Sequence, residues 1–136
     1  MRLADKVASV TGAGSGFGVG IAELFAQEGA KGVVADINGA AAEDVARTSG
    51  GWAAAVTADV AREDDTRRMI ETACERFGRL DILVNNAGVT HPNQPMTEVS
   101  EADFDKTYAV NVKSIYWAAK YAVPILRAQG GGAIVT

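Results

Sequence analysis

A glycine-rich turn and one spaced acidic residue are the parts of this sequence most able to do chemistry. The turn, Thr11 to Gly18 (TGAGSGFG), lies between the apolar run Val7 to Val10 and a helix-like stretch from Ile21 to Gln27. Such a turn lets phosphate groups approach bare backbone N–H groups at a helix N-terminus. Eighteen residues after the turn, Asp36 ends a second apolar run. A carboxylate there can accept hydrogen bonds from a ribose, so the pattern predicts a dinucleotide ligand.

The glycines follow T-G-x-x-x-G-x-G from Thr11, because the commoner G-x-G-x-x-G does not fit in the expected register. Gly12 suits the tight turn, Gly16 allows backbone to approach a pyrophosphate, and Gly18 allows the next helix to pack closely on the sheet. A merely flexible glycine loop is the alternative, which the strand–turn–helix setting disfavours. The residues predicted to hold the pyrophosphate are Gly12, Ser15, Gly16, Phe17 and Gly18.

The region after the second strand bears on the choice between NAD and NADP. Asp36 would bind the adenosine ribose hydroxyls and repel a 2′-phosphate. NADP binding would call for Arg or Lys just after this strand or inside the turn. Ile37 and Ser15 occupy those places, and both are among the residues predicted to bind the cofactor. NAD is therefore predicted, with NADP the less favoured cofactor. An acid at a helix N-terminus, ahead of Asn38, is the structural alternative for Asp36.

Two further polar segments follow predicted strands. Asp59 could contact the adenine amino group while Val60 packs on the ring, but Asp59 could equally cap the next helix. The tetrapeptide NNAG at 85–88 has small residues that permit close backbone approach, and its amides could tie its strand to the first one. The residues predicted to line the nicotinamide-ribose side are Asn86, Ala87 and Gly88.

Short apolar runs alternate with longer helical patterns along the chain. The runs are nearly continuous rather than alternating, which is typical of parallel strands covered on both faces. This order predicts an α/β fold: one Rossmann-like, doubly wound parallel sheet in three α/β/α layers. The predicted strands are 7–11, 33–36, 53–57, 82–85 and 133–136, and the predicted helices 16–28, 39–48, 63–77 and 101–128. The last helix is too long to be straight, so we expect a short helix near 101–109 and a longer one from Asn111, disturbed at Pro124.

Together these residues resemble the short-chain dehydrogenase/reductase family over the whole chain. TGAGSGFG resembles its cofactor turn, Asp59-Val60 its adenine contact, and NNAG its central-strand motif. Asn111 matches the asparagine that starts the family's long fourth helix and helps to hold a proton-relay water there. The segments RLDILVNNAG and YAVNVKSIY, and Pro124 ahead of a GGG turn, are similar to the 3-oxoacyl-carrier-protein reductase and sugar-dehydrogenase branch of the family. The resemblance implies NAD-dependent hydride transfer between nicotinamide and a carbonyl or secondary alcohol, and a homo-oligomer, a tetramer or a dimer.

The chain departs from the family at its carboxyl end. The family's catalytic serine follows strand five and its Tyr-x-x-x-Lys lies on the next helix, whereas this sequence ends at Thr136. Tyr116 and Lys120 match the Tyr-x-x-x-Lys pattern but precede strand five, so we expect the match to be coincidental. We expect residues 1–136 to form one incomplete cofactor-binding domain, the amino-terminal part of a longer enzyme. A non-catalytic dinucleotide-binding or interaction module is the alternative function.

The overall composition of the chain argues against several classes of binding partner. A net charge of −4 argues against nucleic acid and against an anionic membrane surface. Cys74 is the single cysteine, so no intrachain disulfide can form and a reducing compartment is expected. The sequence has no apolar signal-peptide stretch and no run long enough to span a bilayer. We therefore expect a cytoplasmic protein that acts on a small molecule, with no metal site.

Overall fold

The computed structural model describes all of residues 1–136. Its core is one parallel five-stranded sheet in the order β3-β2-β1-β4-β5. The strands are β1 (Val7–Thr11), β2 (Lys31–Asp36), β3 (Ala53–Thr57), β4 (Ile82–Val84) and β5 (Ala133–Val135). The helices are α1 (Gly16–Gln27), α2 (Gly39–Thr48), α3 (Glu63–Phe77), α4 (Glu101–Tyr108) and α5 (Ser114–Ala128), with a 3₁₀ turn at Met96–Glu98 and a π-helical segment at Ala109–Lys113.

Helices cover both faces of the sheet, which confirms the predicted three-layer α/β/α arrangement. Neighbouring strand residues point to opposite faces, so Val33 joins the core under α3 and α5 while Val34 joins the core under α1 and α2. Every residue of β1, the central strand, is buried. The continuous apolar run at β1 therefore reflects a strand that has no solvent-facing side.

The predicted elements all form, with small differences at their ends. β2 begins at Lys31, two residues before the predicted start, and β4 ends at Val84, one residue before the predicted end. α3 ends as its glycine predicts, because Gly78 takes a left-handed conformation (φ 82°) and its N–H donates to the Cys74 carbonyl.

The long helical region divides near the predicted place, but it does so without a gap. α4 begins at the Ser100 cap, whose hydroxyl accepts the Asp103 N–H at 3.1 Å. Residues Ala109–Lys113 then form the π-helical segment, and α5 continues from Ser114. The prediction that Pro124 disturbs the helix is wrong as regards helix continuity, because α5 runs through that residue to Ala128. The irregularity lies instead around Asn111.

A buried carboxylate joins the amino-terminal ends of β1 and β4. Asp81 Oδ2 accepts the Val7 N–H at 2.9 Å and the Arg79 Nε–H at 2.8 Å. Burial raises the pKa of Asp81, but the Arg79 and Val7 donors outweigh it and leave that pKa below its ordinary value. The ion pair therefore joins the strands at their amino-terminal ends, opposite to the carboxyl ends at which ligands bind in such folds.

The edge strand β5 is exposed along its whole length. Three apolar side chains of α5, Ile115, Trp117 and Ile125, are half-buried. None of the helices combines the length and the apolar composition needed to cross a membrane.

Candidate functional site

A cleft of about 590 Å³ opens at the carboxyl ends of the strands. The sheet order reverses between β1 and β4, and ligands of doubly wound sheets bind at this switch point. The cleft brings together every residue predicted to bind the cofactor except Gly18. Those residues are Gly12, Ser15, Gly16, Phe17, Asp36, Ile37, Asp59, Val60, Asn86, Ala87 and Gly88.

The glycine turn forms the floor of the cleft at the start of α1. Gly16 has a positive φ of 54°, and a Cβ there would meet no other atom within 4 Å. Gly18 lies beneath the surface, where a Cβ would fall 2.0 Å from the Gly12 carbonyl oxygen. Ser15 occupies the N-cap position of α1, but its side chain makes no capping hydrogen bond. The first N–H groups of α1 are therefore without a side-chain acceptor at the cleft.

Thr11 and Asn86 join the turn to the end of β4. The buried Thr11 Oγ1 accepts the N–H groups of Asn86 and Ala87, each at 3.0 Å, and donates to the Val84 carbonyl at 3.3 Å. Asn86 Nδ2 in turn donates hydrogen bonds to the carbonyl oxygens of Thr11 (3.0 Å) and Gly12 (3.2 Å). The predicted link between NNAG and the first strand is thus present and uses both side chains.

Asp36 lies at the end of β2 with both carboxylate oxygens engaged by backbone donors. Gly14 N–H donates to Oδ2 and Asn38 N–H donates to Oδ1, each at 2.8 Å. Asn38 itself caps α2, because its side chain accepts the Ala41 N–H at 3.2 Å. Asp36 is therefore not the capping residue of α2, and its fixed carboxylate borders the cleft.

Asp59 and Val60 border the same cleft beyond β3. Asp59 Oδ1 accepts the Ala61 N–H at 2.9 Å, closing a local turn. The N-cap residue of α3 is Arg62, so the capping alternative for Asp59 is wrong.

Asn111 lies in the π-helical segment and holds the chain just after NNAG. Its Oδ1 accepts the Val89 N–H and its Nδ2 donates to the Val89 carbonyl, each at 2.8 Å. Val89 lines the cleft, whereas Asn111 does not. Asn111 therefore fixes one wall of the site from behind, and π-helical irregularities of this kind are common at functional sites.

Comparison with known proteins identifies the family. A profile described as "short chain dehydrogenase" matches residues 6–136. The chain belongs to the short-chain dehydrogenase family. It is 46% identical to an uncharacterized oxidoreductase of Thermotoga maritima (99% of this chain, 54% of that protein) and 44% identical to the 4-formylbenzenesulfonate dehydrogenase of Comamonas testosteroni (99% and 55%). The crystal structure of the 3-ketoacyl-(acyl-carrier-protein) reductase from Brucella melitensis complexed with NADH superposes with a TM-score of 0.92 at 44% identity, covering 94% of this chain and 53% of that one. The chain spans about half the length of these relatives.

Tyr116 and Lys120, which match the Tyr-x-x-x-Lys pattern of the short-chain dehydrogenase family, both lie on α5. Neither residue borders the cleft. Lys120 Nζ and the Tyr121 hydroxyl both donate to Glu63 Oε1 at 2.6 Å, across the α3–α5 contact. Hydrogen bonds from Lys120 and Tyr121 lower the pKa of Glu63, and the Glu63 carboxylate raises the pKa of Lys120. The lysine is therefore committed to an ion pair away from the site.

Sequence reasoning missed several residues that line the cleft of this short-chain dehydrogenase chain. Some belong to segments already recognised and could have been found by extending them by a residue or two. Lys106 carries no such signal, because it reads as an ordinary exposed helix residue, yet it is the one basic side chain among the lining residues. The missed residues are Ala58, Ala61, Val89, Lys106, Ala109 and Val110.

Proposed function

We propose that this chain is the NAD-binding part of an oxidoreductase that transfers hydride between nicotinamide and a carbonyl or secondary alcohol. One observation carries the proposal: residues from four separate strand ends converge on a single cleft at the switch point of the sheet. The resident group is a nicotinamide dinucleotide, which the Brucella melitensis relative binds as NADH.

The glycine turn and the start of α1 fit the pyrophosphate of a dinucleotide. The uncapped N-terminus of α1 offers N–H groups to a pyrophosphate, and the space beside Gly16 lets the phosphates come close to backbone. Ser15, Phe17 and Gly12 complete that side, while the buried Gly18 brings α1 close to the turn.

Asp36 supports NAD over NADP. Its oxygens each accept one N–H and have acceptor capacity left for the hydroxyls of the adenosine ribose. A 2′-phosphate would meet this fixed negative charge, and the neighbouring Ile37 offers no cation to offset it.

The two ends of the cleft take the two bases. Asp59 and Val60 bind the adenine, one by hydrogen bonding and one by packing on the ring. Asn86, Ala87 and Gly88 line the nicotinamide-ribose side, where Asn111 orders the wall through Val89. In the whole protein Asn111 also contributes to the proton relay of the family.

Bound nicotinamide supplies the hydride chemistry, and the residues present here bind and orient it. The family's serine after strand five and its Tyr-x-x-x-Lys on the following helix do not occur among these 136 residues. The 136-residue chain alone is therefore expected to bind NADH without turnover. We further propose that the whole protein acts in the cytoplasm as a homo-oligomer on a small carbonyl or alcohol.

The test is to titrate the chain and its Asp36→Ala variant with NADH and with NADPH and to measure each affinity by calorimetry. Loss of hydrogen bonds to a charged acceptor should weaken NADH binding by about ten- to a hundredfold. NADPH should lose much less, because repulsion of its phosphate is relieved as well. The control is Asp64→Ala, an exposed acid of α3 outside the cleft, which should bind both cofactors as the wild type does. An unchanged NADH-to-NADPH ratio in Asp36→Ala would remove Asp36 from its proposed role.

A further inference from the structure

The contact between Gly14 and Asp36 connects two parts of the site that the motif treats separately. Gly14 belongs to the turn after β1, and Asp36 ends β2. Gly14 N–H donates to Asp36 Oδ2 at 2.8 Å, while Asn38 N–H holds the other oxygen at the same distance. Two backbone donors, one on each oxygen, fix both the position and the rotation of the carboxylate.

The absence of a side chain at Gly14 is what makes this contact possible. A Cβ there would lie 2.8 Å from both Asp36 Cγ and Oδ2, and 2.9 Å from the Ala41 Cβ. These distances are too short for any real side chain, so either the carboxylate or α2 would have to move. Gly14 is not among the glycines with positive φ, so backbone strain is no obstacle to substitution. The requirement for glycine is one of space alone.

We propose that Gly14 is a specificity-determining position for the dinucleotide, an inference that rests on the proposed NAD function. Its N–H and its missing side chain hold the Asp36 carboxylate in the orientation that receives the ribose hydroxyls. The same hold prevents the carboxylate from swinging away from an added 2′-phosphate. Gly14 thus positions Asp36 and selects NAD through it, without touching the ribose.

The experiment compares NADH and NADPH affinities in Gly14→Ala, Asp36→Ala and the double variant. Gly14→Ala should lower the NADH-to-NADPH affinity ratio about tenfold, in the direction of Asp36→Ala. In the Asp36→Ala background the same substitution should change the ratio by less than about twofold, because no carboxylate remains to be displaced. The ratio is the readout because general loosening of the turn would weaken both cofactors together.

Two further variants separate displacement of the carboxylate from displacement of α2. Ala41→Gly removes the other close atom, so Gly14→Ala in that background should still lose the preference for NADH. Gly20→Ala is the matched control, because a Cβ there meets nothing within 4 Å, and its ratio should equal that of the wild type.

The outcomes distinguish this proposal from the proposed function. No NADH binding by the wild-type chain would refute both. NADH binding that depends on Asp36, with an unchanged ratio in Gly14→Ala, would refute the role of Gly14 alone. If Gly14→Ala fails to fold, exchange of the Gly14 amide proton in the wild type and in Asp36→Ala decides. The proposal requires slower exchange in the wild type, and equal rates would overturn it.

Discussion

Thr11→Val is the substitution that most directly tests how the two central strands are joined at the site. The change keeps the shape of the side chain and replaces its hydroxyl with a methyl group. Thr11 is buried, and its Oγ1 accepts two N–H groups, those of Asn86 and Ala87, at 3.0 Å. Both donors lose their only side-chain acceptor in the variant.

The expected cost follows from those two donors. A buried N–H without a partner costs about 1–3 kcal/mol, and because these two are only partly buried the lower end applies to each. The lost bond to the Val84 carbonyl is long, at 3.3 Å, and adds little. The free energy of unfolding should therefore fall by about 2–3 kcal/mol.

Urea denaturation, monitored by circular dichroism, measures this loss of stability, and the Thr11→Ser variant is the control. The serine keeps the hydroxyl and loses one methyl group, which should cost about 1 kcal/mol. The valine variant should also bind NADH more weakly, since Asn86 and Ala87 border the cleft, whereas the serine variant should bind normally. Equal stability of the two variants, with equal NADH affinity, would show that the Thr11 hydroxyl does not join the strands.

Two other substitutions separate binding from stability. Asn111→Ala removes both hydrogen bonds to Val89, which lie in solvent-exposed surroundings. Calorimetry should therefore show several-fold weaker NADH binding, while the free energy of unfolding falls by no more than about 1 kcal/mol. A loss of stability without any change in NADH affinity would contradict this prediction. Asp81→Ala leaves the buried Val7 N–H without its acceptor at the far edge of the sheet, so stability should fall by about 1–3 kcal/mol with NADH affinity unchanged. Because the folded-state pKa of Asp81 is lowered, its contribution is present above the unfolded-state pKa of about 3.9 and is lost as the pH falls through the folded value. The stability gap between wild type and Asp81→Ala should therefore be constant near neutral pH and narrow below about pH 4, and a gap that persists in acid would refute the ion-pair explanation.

The sequence was sufficient for the sheet and for most of the cleft because both depend on local patterns. Continuous apolar runs identified the strands, including the fully buried β1, and the positions just after those runs supplied most of the cleft residues. The ends of elements were less well predicted. β2 starts at Lys31, since an exposed lysine pairs with Val7 of β1 there and an apolar pattern cannot reveal backbone pairing. Pro124 was expected to disturb α5, yet the helix continues through it.

The contacts that hold the cleft in shape could not be predicted, because they join residues distant in the sequence. Asn111 was recognised from its motif, but nothing in the sequence indicated that its side chain would bind the backbone of Val89, 22 residues earlier. Lys106 lines the cleft only because the fold brings the end of α4 to it. Gly14 is not one of the glycines of the T-G-x-x-x-G-x-G pattern, and only the structure shows that it lies against the Asp36 carboxylate.

Several side chains at this site, among them Thr11, Asp36 and Asn111, act in the same way: each binds the backbone of a segment that borders the cleft. Thr11 holds the start of NNAG, Asp36 holds the glycine turn, and Asn111 holds Val89. Contacts of this kind bind backbone groups, so they depend on the path of the chain, and at Gly14 they also require that no side chain is present. The motif residues shape the dinucleotide cleft, and they impose no requirement for a particular substrate.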